Sequence, residues 1–220
     1  MTSTLATTSA FDSLRQDAVA DLDGLRQVYE LPGDRAVRKQ MTELTEQTRQ
    51  LIACASLVFV ASVDADGNCD VSPRGGPPGF VAVLDSRTVA IPDATGNKRL
   101  DTLQNVVVTG RAGLLFVIPG RTTTLRVNGR AVVSTRPDLL SQLTPVGKAP
   151  ASALVVGIDE VYPHCPKSLM RGAAWKPDQW LAADAQPSSA EVTLAQLRMP
   201  ELTIAEIEQT ESDALRYRYE

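Results

Sequence analysis

Short strand-like segments separated by turn residues dominate the chain between residues 57 and 164. Apolar or alternating runs recur seven times in this region, and Gly, Pro, Asp and Asn lie between them. Many short strands joined by tight turns are typical of antiparallel barrels. The pattern by itself therefore predicts a closed antiparallel barrel. Its expected strands are residues 57–64, 69–74, 80–85, 88–93, 112–119, 122–134 and 153–164.

Helical periodicity flanks this barrel. Apolar residues recur every three or four positions in 11–30 and 35–54, which predicts two N-terminal helices. Shorter helices are expected at 98–106, 137–143 and 167–174, and a last helix is expected after a linker at 182–191. The predicted fold is thus mainly β with flanking helices. We expect a helical extension packed on the barrel (1–55), the barrel domain (56–181), and a C-terminal linker and helix (182–220).

Composition and charge exclude several classes of protein. The chain has 220 residues and a formal net charge of −4, which argues against a general nucleic-acid binder. No run approaches the 18 or so apolar residues that a membrane span requires, so no membrane association is expected. Three scattered cysteines and one histidine predict neither a disulfide framework nor a metal site. A reducing, cytoplasmic setting fits this cysteine usage.

The segment VSPRGGPPGF, residues 71–80, places a single arginine at the mouth of a glycine- and proline-rich turn. Side chains alternate along an extended chain, so Asp70, Ser72 and Arg74 are predicted to share one face. The glycines that follow allow close approach of the backbone to a ligand. The guanidinium of Arg74 offers a planar fork of donors that suits a phosphate or a carboxylate.

A second basic segment, Gly96-Asn97-Lys98-Arg99, follows the predicted strand 88–93. We expect Lys98 and Arg99 to open a helix, where free backbone N–H groups and two positive charges would favour a phosphate monoester. The local pattern alone slightly favours solvated surface charges at all three basic positions, because charged residues are mostly exposed. The neighbouring residues alone leave both interpretations open.

Two further segments carry unusual polar residues. The alternation in TTTLRVNGRA, residues 122–131, places Thr124, Arg126 and Arg130 on one side of a strand, where they would meet water or line a site or an interface. The segment YPHCPKSLMRGAAW, residues 162–175, contains the chain's one histidine. His164 and Cys165 are adjacent on an extended chain and point apart, so a nucleophilic dyad is disfavoured and a structural or ligand-lining role is favoured.

The order of these motifs resembles the pyridoxamine 5′-phosphate oxidase-like family of FMN-binding split barrels. The resemblance covers residues 40–175 or so, and rests on Ser-Pro-Arg, Ile-Pro-Asp, Gly-Asn-Lys-Arg, LLFVIPG and TLRVNG in that order. It is strongest to a bacterial branch of the family. The resemblance implies a homodimer that binds two FMN molecules at the subunit interface and acts on a small molecule.

The resemblance also assigns candidate cofactor-binding residues by matching position. Ser72, Arg74 and the turn Asn97-Lys98-Arg99 would bind the FMN phosphate. Pro92 and Asp93 would run beside the isoalloxazine through backbone contacts. Thr124, Lys167 and Ser168 would be contributed by the partner subunit. The resemblance assigns no catalytic residue.

The chain departs from true pyridoxamine 5′-phosphate oxidases at its end. Those enzymes carry an Arg-Leu-His-Asp-Arg-like segment for the substrate, whereas this chain ends EIEQTESDALRYRYE and has no second histidine. We therefore expect an FMN-dependent oxidoreductase that does not act on pyridoxamine 5′-phosphate. The alternatives are a non-catalytic protein that binds or stores FMN, a deazaflavin or haem, for which His164 would be the axial ligand, and a structural dimer without a cofactor.

Overall fold

A computed structural model describes residues 9–94, 96–143 and 148–217 of the chain. The chain divides into two compact units, Met1–Lys39 and Gln40–Glu220. The domain boundaries expected at 55/56 and 181/182 stay predictions.

The N-terminal unit contains three short helices: α1 (Ala10–Arg15), α2 (Leu22–Val28) and α3 (Asp34–Arg38). The prediction of one helix over 11–30 is wrong, because the side chain of Asp21 accepts a hydrogen bond from the Gly24 N–H and caps a new helix at Leu22. These three helices contain no buried residue. Apolar spacing without a packing partner does not sustain a long helix in water.

The second predicted helix, 35–54, is also interrupted. Residues 39–45, between α3 and α4 (Glu46–Cys54), are not helical, and Met41 forms an antiparallel bridge with Val161 through hydrogen bonds in both directions, at 3.0 and 2.7 Å. Thr45 then caps α4 by accepting from the Thr48 N–H. A long-range backbone contact and a local cap therefore override the helical pattern here.

Seven strands form one antiparallel sheet. Along the sheet their order is β2-β1-β5-β6-β7-β4-β3. In the described part of the chain β2 and β3 are its two edges and are not paired with each other, so the barrel is split rather than closed. The strand bounds are β1 Leu57–Val63, β2 Cys69–Gly75, β3 Ala82–Asp85, β4 Thr88–Pro92, β5 Arg111–Val117, β6 Thr124–Ser134 and β7 Ala153–His164.

Five more helices complete the described fold. A capping box at Ser188 and Glu191 starts a helix inside the segment that was predicted as a linker. That helix, α8, packs on α9, where Ala190 and Ile207 are buried and the Ser189 hydroxyl donates to Glu211 at 2.9 Å. The helix bounds are α5 Asp101–Thr109, α6 Pro137–Leu140, α7 Lys167–Arg171, α8 Ser189–Leu197 and α9 Ile204–Tyr217, with 3₁₀ turns at Pro177–Gln179 and Ala183–Ala185.

The core lies between the curved sheet and the two helices α4 and α5. Alternate residues of the central strands point inward and are fully buried, as are Ile52 of α4 and Val106 of α5. A bulge at Asn128/Gly129 interrupts the pairing of β6 with β7. At Gly129 a Cβ atom would lie 1.9 Å from the Gly157 carbonyl oxygen, so this position accepts only glycine. In the residues that the structure describes, no helix is long and apolar enough to cross a membrane.

Candidate functional site

Strand β2 presents a polar face to α5. Asp70, Ser72 and Arg74 are half-buried, whereas Cys69 and Val71, which alternate with them, are exposed. The predicted alternation along this strand is therefore present, and its three polar side chains share a face. Because β2 is an edge strand, this face opens toward the segment that precedes α5.

A chain of hydroxyl groups joins β2 to α5. The buried Thr102 hydroxyl donates to Asp70 Oδ2 at 2.8 Å, and its oxygen lies 2.8 Å from Ser72 Oγ. Since the Thr102 proton is committed to Asp70, the Ser72 hydroxyl is the donor of the second bond. Thr102 was not predicted as a site residue from the sequence. Thr102 lies four residues before Val106, so both are on the same side of the predicted helix. A hydroxyl on a buried helix face requires hydrogen-bond partners, and this could have identified Thr102.

Arg74 is held by a carboxylate. Its Nη1 donates to Asp93 Oδ1 at 3.0 Å, and roughly a quarter of each side chain is exposed, 24% for Arg74 and 20% for Asp93. The Asp93 N–H donates to the Ser152 carbonyl oxygen at 2.9 Å. Pro92, buried at the end of β4, has no N–H. The backbone of Pro92 and Asp93 therefore has no free N–H group and offers a ligand only carbonyl oxygens.

The basic turn before α5 has an unusual backbone. Lys98 and Leu100 adopt left-handed conformations, with φ of 63° and 61°. Asn97 Oδ1 accepts from the Arg99 N–H at 3.0 Å, and Gln104 Nε2 donates to the Arg99 carbonyl at 2.7 Å. Left-handed non-glycine residues cost roughly 1–3 kcal/mol each and cluster at ligand sites.

Helix α5 starts at Asp101, so the expected helix 98–106 begins and ends three residues too early. Arg99 consequently lies in the turn, where its Nε donates to Asp101 Oδ2 at 2.8 Å. The hydrogen bond and the charge of Asp101 raise the pKa of the Arg99 guanidinium. Leu100 provides no side-chain cap for the first turn of the helix.

The two basic segments line one cavity of about 450 Å³. Its polar lining is balanced in charge, because three cations face three carboxylates. The lining residues from β2 are Asp70, Ser72, Pro73 and Arg74; Asp93 and Ala94 follow β4, and the turn and helix contribute Gly96, Asn97, Lys98, Arg99, Leu100, Asp101 and Thr102.

The glycine- and proline-rich turn after Arg74 is not part of this lining. Its Gly76 and Gly79 N–H groups donate to the Ser56 and Ala55 carbonyl oxygens, at 3.1 and 3.2 Å. Gly79 has φ +82°, and a Cβ atom there would lie 3.3 Å from the Ala53 oxygen. These glycines allow the turn to approach the backbone at the end of α4 and before β1, and close approach of a ligand there stays a prediction.

The remaining candidate residues lie elsewhere in the chain. Thr124 begins β6, is buried, and is paired with His164 at the end of β7. Lys167 and Ser168 begin α7 three residues further on and are exposed. None of these three lines the cavity.

A polar cluster follows Thr124 on the same face of the sheet. Arg126 Nη1 donates to Tyr162 Oη at 2.9 Å, and Arg126 Nη2 lies 2.9 Å from His164 Nε2. The guanidinium carbon lies 5.5 Å from the centroid of the Tyr162 ring. The Cys165 N–H contacts His164 Nδ1 at 3.1 Å. Arg126 was predicted on this face from the alternation of the strand, whereas its contacts with Tyr162 and His164 were not predicted.

No group of three His, Cys, Asp or Glu side chains in the described residues is arranged to hold a metal ion. The three cysteines, Cys54, Cys69 and Cys165, are free and exposed.

The chain is a split antiparallel β-barrel protein, and its cavity beside one edge strand is lined by three cations and three carboxylates. The family model described as pyridoxamine 5′-phosphate oxidase matches residues 44–165, which is more than half of the chain. The chain belongs to the pyridoxamine 5′-phosphate oxidase family. This confirms the family and the fold class expected from the motif order.

Solved structures provide more distant matches. HupZ of Group A Streptococcus is 20% identical, with a TM-score of 0.44, covering 55% of this chain and 93% of its own. An FMN-binding protein from Syntrophomonas wolfei is 16% identical, with a TM-score of 0.41, covering 71% and 98%. HutZ, a haem storage protein from Vibrio cholerae, is 14% identical, with a TM-score of 0.37, covering 54% and 93%. A comparison with curated proteins finds no match.

Proposed function

We propose that the protein is an FMN-dependent oxidoreductase that works as a homodimer in the cytoplasm. The family to which it belongs is flavin-binding. The observation that carries the choice of FMN is the meeting of Ser72, Arg74, Asn97, Lys98 and Arg99 around one cavity. Its volume of about 450 Å³ lies within the usual range for cofactor sites.

The donors in this cavity fit a phosphate. Arg74 uses Nη1 on Asp93 and Arg99 uses Nε on Asp101, so each guanidinium retains nitrogens for a second acceptor. Lys98 makes no ion pair within the described ranges. The first turn of α5, which has no side-chain cap, adds backbone N–H groups and the positive end of the helix.

The three carboxylates orient these donors before a ligand arrives. Asp93 holds Arg74, Asp101 holds Arg99, and Asp70 is bound to Thr102. A phosphate would share the guanidinium groups with Asp93 and Asp101 rather than meet free cations. The affinity for FMN therefore depends on this competition as well as on the number of positive charges.

The homodimer is supported by two observations. The outer face of β1 and β2 exposes apolar side chains, with Val63 42% and Val71 63% accessible, and an unpaired apolar sheet face is covered in stable proteins. In addition, Thr124, Lys167 and Ser168 lie away from the cavity of their own chain. We propose that they reach the FMN of the partner subunit.

Bound FMN supplies hydride chemistry, and the protein binds, orients and shields it. In this role Ser72, Arg74 and the 97–99 turn hold the phosphate end. We propose a small-molecule substrate other than pyridoxamine 5′-phosphate, because the segment EIEQTESDALRYRYE does not match the Arg-Leu-His-Asp-Arg-like segment of true pyridoxamine 5′-phosphate oxidases.

Haem storage is the less favoured alternative. His164 is the chain's one histidine, and both of its ring nitrogens are already in contact, Nε2 with the Arg126 guanidinium and Nδ1 with the Cys165 N–H. An axial bond to iron requires a free nitrogen. It would also place a metal cation beside the positive charge of Arg126.

The test is the absorption spectrum of the purified protein after FMN is supplied, together with the mass of the molecule released on denaturation. Flavin bands and the mass of FMN are expected. Release of haem or a deazaflavin, or a colourless protein, would refute the assignment. A light-scattering mass equal to one chain, with FMN bound, would refute the dimer.

A further inference from the structure

We propose that Ser72 is a specificity-determining residue that acts as a hydrogen-bond acceptor and selects ligands with a hydroxyl group beside their phosphate. The ligand class is the phosphate monoesters of sugar alcohols, to which FMN belongs through its ribityl phosphate. The inference deepens the proposed function and rests on it in naming FMN. The preference of the cavity for hydroxyl-bearing phosphates is measurable without a flavin.

The charge of Asp70 fixes the direction of the hydrogen bonds around Thr102. An ionised carboxylate only accepts hydrogen bonds. The single hydroxyl proton of Thr102 therefore lies on the bond to Asp70 Oδ2, which is 2.8 Å long. The bond of 2.8 Å between Thr102 and Ser72 must then use the proton of Ser72. Ser72 consequently presents lone pairs, rather than a proton, to a ligand in the cavity.

Burial of Thr102 stabilises this arrangement. The residue is 2% exposed and lies in the first turn of α5, facing Asp70 and Ser72 at alternate positions of β2. For Ser72 to donate to a phosphate, the buried oxygen of Thr102 would lose its donor, and a lost hydrogen bond is costly where water does not replace it. A ligand hydroxyl that donates to Ser72 adds a bond without breaking one.

The wall of the cavity is divided between acceptors and donors. Asp70 and Ser72 provide acceptor oxygens from β2, whereas Arg74, Lys98 and Arg99 provide the cationic donors. Arg74 lies two residues beyond Ser72, about 7 Å along the strand. The first few carbons of a sugar-alcohol phosphate bridge such a distance. A ligand whose phosphate is held by the cations therefore has hydroxyl groups within reach of the acceptors.

Ser72→Ala separates the two roles of this hydroxyl when three flavins are compared by fluorescence titration. FMN carries ribityl hydroxyls and a phosphate, riboflavin carries the hydroxyls alone, and lumiflavin carries neither. We expect FMN and riboflavin to lose affinity equally, by about two- to tenfold for one hydrogen bond, and lumiflavin to be unaffected. A loss confined to FMN would show that Ser72 donates to the phosphate and would overturn the proposal, as would unchanged affinity for all three flavins.

Thr102→Val tests the direction of the hydrogen bonds. Valine has a shape similar to that of threonine but no hydroxyl, so it releases the Ser72 proton while the charge of Asp70 stays. Ser72 can then donate to a phosphate, and the preference for FMN over riboflavin should rise about tenfold. A preference that stays the same or falls would contradict the direction assigned here.

Ser62→Ala is the matched control. The Ser62 hydroxyl accepts from Asn105 Nδ2 of the same helix at 3.0 Å, is buried, and is paired with Asp70 in the register of β1 with β2. It does not line the cavity. The variant should leave the three flavin affinities unchanged. An effect equal to that of Ser72→Ala would assign the loss to the packing of α5 and refute the role of Ser72.

Two phosphates without a flavin distinguish failure of this inference from failure of the proposed function. Glycerol 3-phosphate carries a hydroxyl group beside its phosphate and methyl phosphate does not, and both are titrated by ³¹P NMR. We expect glycerol 3-phosphate to bind more tightly, and Ser72→Ala to abolish the difference. Equal binding of the two phosphates to the wild type would overturn the inference even if FMN binds. If no flavin binds, the proposed function is refuted, and a preference that Ser72→Ala abolishes would still support the acceptor role.

Discussion

Replacement of Arg74 by alanine tests the phosphate site most directly. Arg74 is the one cation of the cavity that lies on a strand, and Asp93 fixes its guanidinium at 3.0 Å. Charge-assisted hydrogen bonds contribute roughly 1.5–3 kcal/mol each. Loss of one such bond therefore weakens FMN about tenfold to a hundredfold, at about 1.4 kcal/mol per factor of ten.

Asp93 modifies this magnitude in a way that can be measured. Removal of Arg74 leaves the Asp93 carboxylate without its partner and close to the phosphate, so the loss should fall at the upper end of the range. Partly exposed ion pairs are worth about 0.2–1 kcal/mol. Asp93→Asn removes the competing carboxylate and should tighten FMN binding by about 1.4- to fivefold. The double variant Arg74→Ala/Asp93→Asn should lose less FMN affinity than Arg74→Ala alone.

The assay is flavin-fluorescence titration with FMN and with riboflavin, which lacks the phosphate. Riboflavin affinity should change much less than FMN affinity in Arg74→Ala. Arg74→Lys should recover part of the loss. The matched control is Arg130→Ala, since Arg130 is exposed and its partner Asp159 keeps Arg111. Equal losses for both flavins would show that Arg74 acts through folding or ring contacts, and the phosphate assignment would be wrong.

Three further outcomes follow from the fold. Gly129→Ala should lower the free energy of unfolding by about 1–3 kcal/mol in urea denaturation, since its Cβ would lie 1.9 Å from a backbone oxygen. Val71→Glu should halve the mass measured by light scattering, whereas Val132→Glu, at a 59% exposed strand position, should not. A hydrogen bond from the Asn68 side chain, and after it hydrogen bonds from backbone N–H groups, lower the pKa of Asp64 below its ordinary value of 3.8. The ionised carboxylate therefore stabilises this turn above pH 3.8. That stabilisation is lost as the pH falls through the lowered pKa of the folded protein. A carboxyl-carbon NMR titration should show Asp64 titrating at higher pH in Asn68→Ala.

Each of these results has an outcome that contradicts it. Gly96→Ala, where a Cβ atom meets nothing within 4 Å, should leave stability unchanged, and an equal loss there would refute the steric argument. Dimers that persist in Val71→Glu would show that this sheet face is not the interface. An Asp64 titration that is the same with and without Asn68 would exclude the amide as the main cause.

The strand pattern was predictable because it depends on local alternation and turn residues. All seven expected strands are present, with bounds shifted by at most two residues. The periodicity predicted a closed barrel, which is wrong, because closure requires β2 to pair with β3 and these strands are the two edges of the sheet. The motif order, rather than the periodicity, predicted the split barrel.

The N-terminal helices were mispredicted for the opposite reason. Their apolar spacing is helical, but Asp21 and the Met41–Val161 bridge interrupt it. A cap that restarts a helix and a long-range bridge are both weak signals in a single sequence. Periodicity therefore identified the helical regions without their breaks.

The convergence of the two basic segments was predictable, whereas their counter-ions were not. Arg74 belongs to the Ser-Pro-Arg motif and Lys98 to the Gly-Asn-Lys-Arg motif, and the order of these motifs matches the family. Asp93 was expected to contribute its backbone, yet its carboxylate holds Arg74 and its N–H is committed to Ser152. Thr102 was missed because its partners, Asp70 and Ser72, lie about 30 residues earlier in the chain.

The separation of the candidate residues into two groups links cofactor binding to assembly. Within one chain the cavity collects Arg74 and the 97–99 turn, while Thr124, Lys167 and Ser168 lie elsewhere. If the second group completes the site of the partner, FMN binds the dimer more tightly than the monomer. Mass action then requires the converse, that FMN stabilises the dimer. A dimer dissociation constant that is the same with and without FMN would show that each chain binds its flavin alone.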